Sequence, residues 1–151
     1  MIPLLHADKP ESGHALIPAT EDMRLRKAVE IFGKCFYREM GFDFPPFEAE
    51  FVHYGGELNK AEVVLFDSQA PQATFPIAAG AAGLSIVNGT RVLDWIWIHP
   101  FQRGKGLADI AWDDLEAAYG DTFQVRGPLS KAMRRFLEKR DVAPERWKRT
   151  R

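Results

Sequence analysis

Arg103-Gly104-Lys105-Gly106 combines two cations with two glycines just ahead of an amphipathic run that opens at Leu107-Ala108. A loop of this kind entering a helix leaves main-chain N–H groups without partners at the positive end of the helix dipole, and that end favours a phosphate. Glycine lets the backbone reach the anion where a Cβ would hold it off, and Arg103 and Lys105 can meet phosphate oxygens. Phosphate-binding candidates are therefore Arg103, Gly104, Lys105 and Gly106, at the entry to Leu107 and Ala108. A Walker loop is excluded, because Gly106 rather than Ser or Thr follows Lys105 and Pro100 holds the earlier glycine position. A dinucleotide fingerprint fits poorly: Asp109 stands where its third glycine belongs, and a hairpin rather than a parallel βαβ unit precedes the loop.

The elements that must position this loop follow from periodicity. Thr20-Glu21-Asp22 opens a helix whose apolar stripe, Leu25, Ala28, Val29, Phe32, Cys35, Phe36 and Met40, runs to Gly41. Glu62–Asp67 and Ile77–Val87 read as strands, the second rich in small residues where something approaches closely. Asn88-Gly89 then predicts a hairpin into a strand over Thr90–Ile98. Leu107, Ile110, Ala111, Leu115 and Ala118 mark a helix, Thr122–Val125 a short strand, and Leu129, Met133, Phe136 and Leu137 a last helix.

Length and composition set the bounds. At 151 residues and a formal net charge of -1, a single domain over 1–151 is expected, with 1–17 and 141–151 as flexible ends. The charge balance gives no global pull toward nucleic acid or anionic membrane. A lone Cys35 excludes an intramolecular disulfide and reads as a small core residue. With no secretory signal and no membrane-length apolar run, a soluble cytoplasmic protein is expected.

Arg103-x-x-Gly106-x-Ala108, after a hydrophobic strand ending in His99-Pro100, resembles the Gln/Arg-x-x-Gly-x-Gly/Ala signature of the GNAT superfamily of N-acetyltransferases. Ser130-Lys131-Ala132-Met133-Arg134-Arg135-Phe136-Leu137-Glu138-Lys139 is similar to that superfamily's late helix, and the likeness spans residues 18 to 140, strongest at 92–119. The resemblance implies an α/β (α+β) fold with a mixed, mostly antiparallel central sheet and helices on both faces. It also implies an acetyl-CoA-dependent N-acetyltransferase acting on a primary amine. Backbone groups of Gly104 to Ala108 would hold the diphosphate of coenzyme A, and Ile96, Trp97 and Ile98 would flank the pantetheine arm. The thioester would lie where strand 92–98 splays from strand 122–125.

A lysine-like amine must lose its proton before attack, which at neutral pH costs roughly 4–5 kcal/mol. Asp94 is the candidate base, placed by strand alternation on the face of Val92, with a structural carboxylate tied to a loop or to Arg91 as the alternative. His99 is better read as a strand-end residue. The superfamily's thiolate-protonating tyrosine is replaced by Leu137 and its asparagine by Ser130, so Tyr37, Tyr54, Ser130 or solvent must supply that proton. A non-catalytic acyl-CoA binder is the alternative. Phe42, Phe44, Phe47, Phe51 and Tyr54 could wall an acceptor pocket, with Glu39, Asp43, Glu48, Glu50 and Glu57 attracting a cation.

The chain ends soon after the late helix, which leaves strand 122–125 as a sheet edge and suggests a homodimer across it. A basic C-terminal stretch including Arg134, Arg135, Arg140 and Arg146 keeps a nucleic-acid or protein interaction module open as a rival function.

Overall fold

The computed structural model describes residues 10–11, 13–42, 46–50, 61–69, 77–100, 103 and 106–148. Its elements are β1 (Leu16–Pro18), α1 (Met23–Met40), β2 (Glu62–Asp67), β3 (Ala78–Val87), β4 (Thr90–Ile98), α2 (Leu107–Tyr119), β5 (Gln124–Val125), α3 (Lys131–Lys139) and a 3-10 turn at Pro144–Arg146. The five strands form one mixed sheet in sequence order, antiparallel from β1 to β4, with β5 parallel to β4.

Between Glu62 and Asp67 at its ends, β2 is continuously apolar because the sheet is covered on both faces. Val63 and Leu65 pack with Leu25, Val29 and Phe32 of α1, whereas Val64 and Phe66 pack with Leu107, Trp112 and Leu115 of α2 and Leu137 of α3. Each of these large side chains contributes roughly 1.5–3 kcal/mol by leaving water. Helices thus lie on both faces of a mixed α/β architecture.

Local chemistry explains the boundaries. Asp22 caps α1, its carboxylate accepting from the amides of Arg24 and Leu25, and Gly41 ends the helix at φ 73°. Thr20, which precedes that cap, pairs with β2, accepting from the Val63 amide at 3.0 Å and donating to the Val63 carbonyl at 3.3 Å. Asn88 and Gly89 turn the β3–β4 hairpin with φ of 51° and 78°. Cys35 is half-buried at the margin of the α1 core. The small residues of β3 make room for β4 itself: a Cβ on Gly80 would strike the Trp97 carbonyl, and one on Gly83 the Trp95 indole.

Secondary structure reaches into both segments expected to be flexible ends, at Leu16–Pro18 and at Pro144–Arg146. β1 pairs with β2, with Leu16 opposite Phe66. Asp114 anchors its start, accepting from the Ala15 amide at 2.6 Å and the Leu16 amide at 3.1 Å. Past α3, Val142 and Trp147 enter the core. Arg146 is buried, donates to the Phe123 carbonyl at 2.9 Å and to Glu116 at 2.8 Å, and lies 4.6 Å from the Phe123 ring centroid. The C-terminal segment of this chain thus lies against Phe123, next to the β5 edge across which a homodimer was suggested.

Candidate functional site

β4 and β5 pair only at Val92 with Gln124 and Leu93 with Val125, after which the Arg126 amide donates to the Leu93 carbonyl at 2.9 Å. Beyond this point the two chains part. The opening widens into a groove between β4, the C-terminal half of α1 and the start of α3. Its narrow end, about 50 Å³, lies among Leu93, Asp94, Val125, Arg126 and Leu129. Its broad end, about 280 Å³, lies among Glu39, Ile96, Ile98, Arg103, Ala108 and Phe136. Phe36, Met40, Ile96, Ser130 and Met133 line both parts, so the groove is continuous.

A bulge shapes the narrow end. The β3–β4 register passes from Gly83 opposite Trp95 to Leu84 opposite Leu93, leaving Asp94 without a partner. Alternation slips there by one residue: Leu93, Ile96 and Ile98 face the α2 side, and Trp95 and Trp97 face α1. At the bulge itself, simple alternation with Val92 no longer decides which face Asp94 takes. Asp94 is not isolated among apolar side chains either, since Arg126 Nε donates to its carboxylate at 2.7 Å. Arg91, the partner considered from sequence, pairs instead with Glu62 at 3.0 Å.

At the broad end α2 begins without a side-chain cap. Gly106 is the N-cap at φ 85°, and a Cβ built there would meet nothing within 4 Å. Among the described residues no side chain caps the first amides of α2, and amides left so are what an anion needs. Arg103 is already engaged. Its Nε donates to the Ile98 carbonyl at 2.7 Å, its Nη1 and Nη2 donate to the two oxygens of Glu39 at 2.8 and 2.7 Å, and its guanidinium lies 5.3 Å from the Trp97 ring centroid. Trp97 Nε1 donates to the same Glu39 carboxylate. The Arg103 hydrogen bond, chiefly, holds the Glu39 carboxyl below the usual range.

Ser130 carries the only hydroxyl among the described residues of the groove. It caps α3, accepting from the Met133 amide at 3.0 Å, and its own proton can still be donated. Leu137 is fully buried and faces the core, while Met133 and Phe136 of the same helix face the groove. Tyr54, Gly104 and Lys105 lie outside the described residues, as do Asp43, Phe44, Phe51 and Glu57 of the expected acceptor wall. Of the remaining wall, Phe47 is buried beneath Arg26 and serves the core. Glu50 pairs with Lys27 at 3.2 Å.

The structure thus brings Asp94, Ser130, Ile96, Trp97, Ile98, Arg103 and Ala108 around one groove, and Gly106 and Leu107 stand at the turn beside it. The partners of its charges, Arg126 and Glu39, acquire those roles through contacts separated by 32 and 64 residues, which no local pattern displays. Among the described residues no group of three or more His, Cys, Asp or Glu could hold a metal, and no helix is long and apolar enough to cross a membrane. No family model matches the sequence, and no curated protein matches it.

Proposed function

We propose that this chain binds acetyl-coenzyme A, or a close acyl-CoA, in the β4–β5 groove and transfers the acyl group to a primary amine, in the manner of a GNAT-like N-acetyltransferase. The observation that carries the proposal is the parting of β4 from β5 beside the uncapped start of α2. A slot for a slender arm and a seat for its diphosphate then adjoin. The mixed sheet with helices on both faces is compatible with that fold.

In this assignment the amides at Gly106 to Ala108 hold the diphosphate, and Ile96 to Ile98 flank the arm. The bound thioester supplies an activated acyl carbon. The amine nitrogen bonds to that carbon, the carbon–sulfur bond breaks, and the sulfur leaves with the bonding pair. Asp94 receives the amine proton, directly or through water, and Ser130 is the hydroxyl placed to return one to sulfur. Positioning of the two reactants supplies much of the remaining rate gain.

One observation favours a second reading, a non-catalytic acyl-CoA binder: α3 directs Leu137 into the core and offers the groove no tyrosine. The rival interaction-module reading loses support, because Arg140 is committed to Asp109 and Asp113 and Arg146 is buried.

Thermal unfolding with millimolar acetyl-CoA is the first test. Ligand at about 100 times Kd stabilises the folded state by about 2.7 kcal/mol, a shift of several degrees, and Gly106→Phe should erase it. An absent shift in the native chain rejects both the enzyme and the binder. With a shift in hand, release of free thiol in the presence of an amine panel separates the two.

A further inference from the structure

We infer that Glu39 is an internal competitor for the anion seat at Arg103, so that a diphosphate engages this arginine only by displacing the Glu39 carboxylate. The inference rests on the acyl-CoA reading above and adds to it a contact that regulates binding.

The Glu39 carboxylate grips both terminal nitrogens of Arg103, at 2.8 and 2.7 Å, in the two-pronged geometry with which a guanidinium also takes a phosphate. The remaining tie, Nε to the Ile98 carbonyl, fixes the guanidinium to the end of β4 and the mouth of the groove. Trp97 steadies both partners, its ring beneath Arg103 and its Nε1 donating to Glu39. An arriving diphosphate therefore meets an arginine whose fork is filled, with a like charge beside it.

Glu39 also occupies the last turn of α1, where the helix dipole disfavours a carboxylate. Its charge is supported mainly by Arg103. The side chains of Arg103 and Glu39 remain 40% and 46% exposed, so solvent screens the pair and it can open without leaving a buried charge behind. A latch that opens easily suits a ligand-displaced contact better than a permanent strut.

The test compares coenzyme A with pantetheine, which lacks the diphosphate, by calorimetric titration of the native chain, Glu39→Gln, Glu39→Asp and Arg103→Gln. Glu39→Gln keeps the size of the side chain and its acceptor for Trp97, and should bind coenzyme A about three- to tenfold more tightly, with pantetheine unchanged. Glu39→Asp, too short to fill the fork, should move the same way and serves if the first variant unfolds. Arg103→Gln should weaken coenzyme A. Native binding with equal or weaker affinity in both Glu39 variants, or full affinity in Arg103→Gln, overturns the competitor role and leaves the acyl-CoA reading standing. Failure of coenzyme A to bind any of the four proteins rejects that reading and the competitor role with it.

Discussion

Asp94 and Arg126 meet at 2.7 Å across the point where β4 and β5 separate, one from a bulge and the other from the first residue after the last paired position. The pair closes the narrow end of the groove with a carboxylate at its floor.

If Asp94 takes the amine proton, Asp94→Asn should slow thiol release by about 10²–10⁴-fold and leave coenzyme A affinity unchanged. Its side chain and that of Arg126 are 25% and 48% exposed, so losing the pair should cost under about 1 kcal/mol of stability. Steady-state thiol release together with urea unfolding separates the two effects.

Crowding on β3 gives a stability prediction. A Cβ on Gly80 meets the backbone carbonyl of Trp97, which cannot turn away, whereas one on Gly83 meets the Trp95 ring, which can shift at some cost in packing. Gly80→Ala should therefore destabilise by about 3 kcal/mol or more, and more than Gly83→Ala, in equilibrium unfolding.

The C-terminal segment should behave as part of the core. Trp147 is 6% exposed and its Nε1 donates to the Val142 carbonyl at 3.0 Å. Trp147→Ala should cost about 3–5 kcal/mol in the same measurement, which a dispensable tail would not.

The anchoring of β1 should depend on pH. The hydrogen bond to Asp114, with its charge, raises the His14 pKa, so protonated His14 adds stability that is complete below about pH 6.5 and fades as pH climbs through the raised value. Burial pushes the Asp114 carboxyl upward, but the Ala15 amide, His14 and the Leu16 amide together outweigh it and leave its pKa lowered. Its contribution is present above about pH 3.9 and disappears as pH falls through the lowered value. Melting temperatures of the native chain and His14→Gln should differ at pH 6 and converge by pH 9. Asp114→Ala, which strands the amides of Ala15 and Leu16, should cost about 2–3 kcal/mol at neutral pH.

What the amino-acid sequence determined by itself is local. Asn88-Gly89 turns the hairpin because both positions accept positive φ, Gly41 stops α1 for the same reason, and period 3.6 or near-continuous apolarity marks each long helix and strand. The open start of α2 was likewise legible, since Gly106 brings no side chain to cap it. Only the tertiary structure decided the state of the charges. Asp94, at a bulge, came to meet Arg126, and Glu39, placed in the sequence among cation-attracting carboxylates, came to face Arg103 from another element. The short β1 and the C-terminal turn were hidden because neither has a periodic pattern long enough to show. Their order comes from Asp114 and from the Arg146 contacts with Phe123 and Glu116, formed when distant parts of the chain pack together.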